Sequence, residues 1–249
     1  MTPSVEREEG RVCLLTGAGG TLGSEFCRRY SDRYRIAAVY RSKPPEVPDQ
    51  EARFVDPLHP TVPLPENESP VFAIRADLTE DAELRRVVEL TLARFGCIDL
   101  LVNAAAYAVW APVVESRALL ESAERQFAVN VLAPLRLAAH VAHAFWRDRD
   151  SENRAFNRNV VNVSSIAAIN VYPHRGQSVY SASKAALNAL TRHLATEFSI
   201  FGVRVNATAP DSFPSPVSFE RAAESIVRLD RETMTGSILV LSGDGEQTI

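Results

Sequence analysis

Residues 12–23 constrain this chain more tightly than any other stretch. The apolar run Val12-Cys13-Leu14-Leu15 ends at Thr16 and passes directly into Gly17-Ala18-Gly19-Gly20-Thr21-Leu22-Gly23. A short apolar run of this kind reads as a buried strand, and the residues after Gly20 read as the opening of a helix. Glycine at such a junction lets the chain turn tightly and brings the backbone close to a ligand. The helix start adds N–H groups and the positive end of its dipole. Those are the needs of a dinucleotide pyrophosphate, provided that strand and helix go on alternating.

They do. Further apolar or β-branched runs at 36–40, 71–75, 99–103, 160–164, 203–208 and 237–241 bring the predicted strands to seven. Helical patterns fall between them at 21–31, 79–95, 115–147, 178–200 and 218–229. Most strands are apolar on consecutive positions, as parallel strands covered on both faces must be. The expected fold is α/β: a Rossmann-type, doubly wound, seven-stranded parallel sheet with right-handed crossovers. With no internal repeat and no second core, residues 1–249 read as a single dinucleotide-binding domain. The pattern breaks at 43–70, which holds eight of the fifteen prolines. That stretch is expected to be an irregular excursion between the second and third strands.

Composition removes other classes. A net charge of −4 argues against a nucleic-acid surface, which must neutralise phosphates. No apolar run approaches membrane-spanning length, and the polar start of the chain is unlike a secretion signal, so no membrane partner and a cytoplasmic location are expected. Cys13, Cys27 and Cys97 lack metal-ligand spacing and read as buried, reduced thiols. His140 and His143 share a helical face with no third ligand, so no metal site is expected.

Cofactor choice is read after the second strand. An NAD-selective site usually places a carboxylate there for the ribose hydroxyl; this chain has Arg41-Ser42-Lys43. Two cations and a hydroxyl suit a 2′-phosphate, so the expected cofactor is NADP(H).

Lysine occurs only at Lys43 and Lys184; the remaining basic residues are arginine. Lys184 follows Tyr180 by four, which places the two on one helix face. An ammonium beside a phenol favours the phenolate, so the pair predicts a phenol pKa lowered towards neutrality and a tyrosine that can give or take a proton. Lysine suits this better than arginine because its charge is compact.

These motifs together resemble the short-chain dehydrogenase/reductases. The likeness runs in order through the glycine turn, Asp77-Leu78, Asn103-Ala104-Ala105, Asn130, Ser164-Ser165, Tyr180-x-x-x-Lys184 and Arg204-Val205-Asn206-Ala207 to Pro210. The resemblance implies a catalytic set of Asn130, Ser165, Tyr180 and Lys184. In it Tyr180 is the acid/base, Lys184 tunes it and holds the nicotinamide ribose, Ser165 binds the substrate oxygen, and Asn130 interrupts its helix and holds a relay water. It also implies cofactor contacts from Gly17, Gly20, Thr21, Leu22, Gly23, Arg41, Ser42, Asp77, Leu78, Asn103, Ala104, Ala105 and Pro210. A small carbonyl or alcohol substrate and a homodimer or homotetramer, built through the helices at 115–147 and 178–200, are implied as well.

The chain departs from the family pattern in several places. Thr21 stands where the short members place glycine, and Gly17, Gly20 and Gly23 follow the spacing of extended members. Three alanines follow Asn103, where the family commonly ends the motif in glycine, and Asp211 follows Pro210. Fifteen residues separate Ser165 from Tyr180, about two more than is common in the family, and the lid at 211–219 is short. A clipped lid implies an open pocket for a bulky or carrier-presented substrate. Pocket candidates are Tyr107, Trp110, Tyr172, His174 and Phe213. The expected reaction is hydride transfer between nicotinamide and a carbonyl or secondary alcohol. The alternatives are a cofactor-binding sensor without turnover, and redox-neutral use of the same site in dehydration, isomerisation or cyclisation.

Overall fold

A computed structural model describes residues 10–46 and 69–249. Eight strands form one sheet: β1 (Arg11–Thr16), β2 (Tyr34–Tyr40), β3 (Val71–Arg75), β4 (Leu100–Asn103), β5 (Asn159–Val163), β6 (Arg204–Pro210), β7 (Ile238–Ser242) and β8 (Gly245–Thr248). Their order is β3-β2-β1-β4-β5-β6-β7-β8, and the first seven run parallel. The expectation of seven strands needs one correction. β8 is a short antiparallel return along β7, polar and largely exposed, without the apolar run that marks a buried strand.

Alternation along β1 explains the two helical layers. Val12 and Leu14 join one apolar core; Cys13 and Leu15 join the other. The first core includes residues of α2 (Asp81–Phe95), of the long helix from Arg117 to Trp146 and of α6 (Ser178–Phe198). The second includes residues of α1 (Thr21–Tyr30) and of the helix Phe219–Arg231. Strand order reverses between β1 and β4, so the crossovers leaving their C-terminal ends diverge and leave a crevice there.

The long helix is α-helical at Arg117–Phe127 and Ala133–Val141, with π-turns at Ala128–Leu132 and Ala142–Trp146. By length and composition it could cross a membrane, with a mean hydropathy of 1.2 over its most apolar window, contrary to expectation. In the fold it packs as a core helix against α2 and α6, burying Leu137, Ala138, Val141, Phe145 and Trp146. All three cysteines are buried, and none of them forms a disulfide. The excursion expected at 43–70 lies mostly outside the described residues, at 47–68.

The end of the sheet opposite the crevice is fixed by buried charge. Arg158, fully buried, donates from Nε to Asp99 at 3.3 Å and from Nη1 to Asn153 at 2.6 Å, ion-pairs with Glu152, and stacks its guanidinium 4.4 Å from the Phe145 ring centroid. Asp99 also accepts from the Val12 N–H at 3.1 Å. Removing one partner from such a cluster leaves the other charge buried and unpaired. Arg158→Ala is therefore expected to lower the unfolding free energy in urea by about 3–5 kcal/mol. A loss under about 1 kcal/mol would show that this anchor carries little of the stability.

Candidate active site

The turn after β1 is shaped by two glycines. Gly17 has φ +73°, and a Cβ there would lie 2.7 Å from the Ala105 nitrogen and 2.8 Å from the Ala104 carbonyl carbon. A Cβ on Gly23 would lie 2.6 Å from the Ala18 Cα. Any side chain at either position would push the turn off the start of α1 or off the chain leaving β4. Thr16 completes the junction: its hydroxyl accepts from the backbone N–H of Ala104 at 3.1 Å and of Ala105 at 3.2 Å. A Cβ on Gly20, which precedes α1, would meet the Gly17 carbonyl oxygen at 3.3 Å, a tight contact but not a collision. No side chain caps α1 and no acidic residue lies in its first turn.

A cleft of about 550 Å³ runs along the C-terminal ends of the strands from this turn. Its walls include residues 39–43, 76–78 and 104–107, and at the far end Val163, Ser164, Tyr180, Lys184, Phe213 and Phe219. A larger groove of about 760 Å³ between α1 and the Phe219–Arg231 helix borders none of the predicted residues. Several of its charges pair with one another, as Arg228 does with Glu232 at 2.8 Å and Arg29 with Glu224 at 3.7 Å.

At the far end of the cleft, Lys184 Nζ lies 5.9 Å from the Tyr180 ring centroid and donates to the Val163 carbonyl at 2.8 Å. Its burial pulls the ammonium down to about 8. Burial holds the Tyr180 phenol above its usual value, and the Ser165 side chain offsets only part of that rise. The sequence-based expectation of a lowered phenol is therefore corrected. Spacing brought the two residues together, but the ammonium is directed at a carbonyl and desolvation outweighs the rest.

Asn130 sits in the first π-turn, fully buried. Its Nδ2 donates to the Tyr107 carbonyl and to Ser183 Oγ, both at 2.9 Å, and its Oδ1 accepts from the Tyr107 N–H at 2.9 Å. Ser183 Oγ in turn donates to the Tyr180 carbonyl at 2.7 Å. Both donors of the Asn130 amide are thus spent on protein, tying the loop after β4 to the helix that carries Tyr180. The bulge in the long helix is what turns this side chain inward.

Among the cofactor candidates, Gly17, Gly20, Thr21, Leu22, Gly23, Arg41, Ser42, Asp77, Leu78, Ala104 and Ala105 all border the cleft. Arg41 forms no ion pair among the described residues, whereas the Lys43 ammonium pairs with Glu46. The Thr79 backbone N–H holds the Asp77 carboxyl below its usual range, and Arg125 and Arg41 add to the effect. Asn103 does not border the cleft. Its side chain donates to Asn162 at 2.9 Å, which donates to Thr191 at 2.9 Å, a buried link from β4 through β5 to α6. Pro210 is buried at the end of β6 and does not border the cleft either.

The pocket candidates divide. Tyr107 and Phe213 line the cleft, and Phe213 stacks on Phe219 with centroids 4.5 Å apart. The Trp110 ring lies 6.0 Å from that of Tyr180. Tyr172 packs under Arg175, and His174 is exposed with φ +62°; neither borders the cleft. Sequence reasoning missed Thr16, Ser183, Phe219 and Gly19. Gly19 has ordinary backbone angles, and its lack of a side chain matters because a Cβ would collide with the carbonyl of Lys43. The one signal for it was a glycine outside the expected spacing.

Comparison with known proteins agrees with this geometry. The short chain dehydrogenase family profile matches residues 11–225. An oxidoreductase of Thermotoga maritima is 31% identical over 208 residues, covering 83% of this chain and 73% of its own. A short-chain oxidoreductase of Brucella ovis, solved with partially ordered NAD, is 28% identical with a TM-score of 0.69 over 94% of this chain and all of its own. A blue fluorescent protein from a metagenomic library, solved with NADPH, is 24% identical with a TM-score of 0.72, covering 94% of this chain and 97% of its own. The chain belongs to the short-chain dehydrogenase/reductase family.

Proposed function

We propose that this chain is an NADP(H)-dependent oxidoreductase that acts on a carbonyl or secondary alcohol, with Tyr180 as the general acid/base. One observation carries the reading: Tyr180 and a buried lysine stand in the wall of the same cleft that the glycine turn opens onto. A nicotinamide dinucleotide fits this cleft. α1 begins uncapped and without acidic residues, and the cleft continues unbroken from the turn to Tyr180. Residues of the turn would hold the pyrophosphate, Arg41 and Ser42 the 2′-phosphate, Asp77 and Leu78 the adenine side, and Lys184 the nicotinamide ribose.

When bound, the nicotinamide supplies or accepts the hydride at the substrate carbon. Every other part of the chemistry falls to the chain. Ser165 and Tyr180 both present hydroxyls to a substrate oxygen, which fixes the carbonyl and aligns its carbon. A phenol held above its usual pKa keeps its proton through the neutral range and can pass it to the oxygen as negative charge develops there. That supports carbonyl reduction as the favoured direction at neutral pH. In the reverse direction Tyr180 must first lose its proton, which its burial opposes. Asn130 and Ser183 position the helix that carries Tyr180 against the loop after β4.

Three cation-rich features support NADP(H) over NAD: Arg41 unpaired among the described residues, Ser42 beside it, and no carboxylate at the end of β2. Exposed Leu120, Phe127 and Leu132 on the long helix support a homodimer or homotetramer, the habit of the family. Buried thiols that form no disulfide agree with a reducing, cytoplasmic setting.

Tyr180→Phe should lower kcat by roughly 10²–10⁴-fold while leaving the Kd for NADPH within about twofold, because only proton transfer is removed. Turnover near wild type would refute the assignment. Arg41→Ala should weaken NADPH by about tenfold or more and NADH little, from the loss of a charge-assisted contact; equal losses for both would contradict the 2′-phosphate reading. In pH profiles, reduction should stay flat across neutrality, while alcohol oxidation should climb with pH as the raised phenol deprotonates. An oxidation rate that is already level at neutral pH would show a phenol that is not raised.

A further inference from the structure

Two loops flank Tyr180, and both expose apolar side chains to solvent. The loop after β4 presents Trp110, Val113 and Val114, the last 94% exposed. The loop after β5 presents Ile169 and Val171, the latter 93% exposed. Isolated exposed hydrophobics are ordinary, but five on two adjoining loops are not. The loops are held together. The Ala111 N–H donates to the Gly176 carbonyl at 2.9 Å, and a Cβ on Gly176, whose φ is +61°, would lie 2.5 Å from the Ala111 carbonyl carbon. Close approach there needs glycine, so the two apolar stretches form one rim.

Trp110 brings this rim up to the reacting end of the cleft, although none of its five exposed side chains lines the cleft. The Trp110 ring, 54% exposed, lies 6.0 Å from the Tyr180 ring at 57°. Phe213 and Phe219, stacked on each other, line the same cleft. Charge is segregated away from this end. Of the charged residues bordering the cleft, Arg41, Lys43 and Asp77 belong to the adenosine half, and Lys184 is buried with its ammonium on a carbonyl. The charged neighbours on the surrounding loops, Glu115, His174, Arg175 and Asp211, do not border the cleft, and Arg175 packs over the Tyr172 ring. Among the described residues, Lys184 is the one cation bordering the reacting end of the cleft.

Resting on the oxidoreductase reading above, we infer that the substrate is a neutral ketone or alcohol with a flat, apolar, ring-bearing body. Its oxygen meets Tyr180 and Ser165, and its ring stacks between Trp110 and the rim residues. A planar ring suits aromatic walls because offset stacking adds to the area that it buries. The short lid leaves the rim uncovered, so the substrate itself shields the apolar side chains when bound. A small ketone would reach Tyr180 without touching the rim, and an oxo acid would meet no counter-charge there but the Lys184 ammonium, which is held on a carbonyl.

The test compares wild type with Trp110→Ala, using α-tetralone as the ring ketone, butane-2,3-dione as the small ketone and pyruvate as the charged one. Calorimetry with 1-tetralol measures binding apart from turnover. Wild type should prefer α-tetralone to both others in kcat/KM. Trp110→Ala should lose about tenfold in kcat/KM for α-tetralone and in tetralol affinity, and lose severalfold less in kcat/KM for butane-2,3-dione. Preference for pyruvate or for the small ketone, or a Trp110→Ala variant that binds tetralol as wild type does, overturns the inference and leaves the oxidoreductase reading standing. A variant that changes oligomeric state without weakening tetralol also overturns it, since the rim is then a contact between copies. Tetralol binding that depends on Trp110 with no reduction of any ketone keeps the apolar site and overturns the oxidoreductase reading.

Discussion

The approach of the turn after β1 to the chain leaving β4 is the constraint on which the site depends. With no side chain at Gly17, the backbone of Ala104 and Ala105 comes within contact of the turn, and the Thr16 hydroxyl bonds both N–H groups. These are the two strands between which the order of the sheet reverses. Locking their exits together fixes the floor of the crevice, while the diverging crossovers keep it open. The walls then follow in series. Tyr107, at the end of the same β4 segment, is clamped by Asn130; Asn130 reaches Ser183; and Ser183 bonds the carbonyl of Tyr180. A short run of hydrogen bonds thus relates the phosphate end of the cleft to its reacting end.

Polarity is divided between the two ends of the sheet. At the N-terminal ends of the strands, Arg158, Asp99, Arg11 and Asp230 are paired within the protein, with the Arg11–Asp230 contact at 2.8 Å. At the C-terminal ends, Lys184 is buried with no anionic partner among the described residues and depressed to about 8. Pairing at one end stabilises the sheet; an ammonium held only by a carbonyl at the other is a cost that a folded protein keeps for chemistry.

The fold was readable because parallel strands covered on both faces are apolar on consecutive positions, and six of the seven crossings are separated by helix or by an obvious break. What escaped was structure without an apolar signature. β8 is Gly245-Glu246-Gln247-Thr248, an edge strand set by its neighbour, and the helix Asp150–Ala155 is one short polar turn after Trp146. The site was legible where spacing alone decides: Tyr180 and Lys184 do share a wall, and the glycines of the turn do meet β4. Direction and burial were not legible. Nothing in Tyr-x-x-x-Lys says that Nζ turns to the Val163 carbonyl or that desolvation raises the phenol. Asn103 and Pro210 fit the family motif yet do not border the cleft, whereas Gly19, outside the expected spacing, is the glycine that admits the Arg41–Lys43 segment.

The central claim is that one continuous cleft joins the glycine turn to Tyr180 and Lys184. A crystal structure of the protein with NADP⁺ tests it most directly. The account predicts the pyrophosphate on the turn at the start of α1, the 2′-phosphate at Arg41, and the nicotinamide ring beside Tyr180, with Lys184 Nζ bonded to its ribose. A dinucleotide seated in the groove between α1 and the Phe219–Arg231 helix, or a nicotinamide ring out of reach of the Tyr180 hydroxyl, would contradict it.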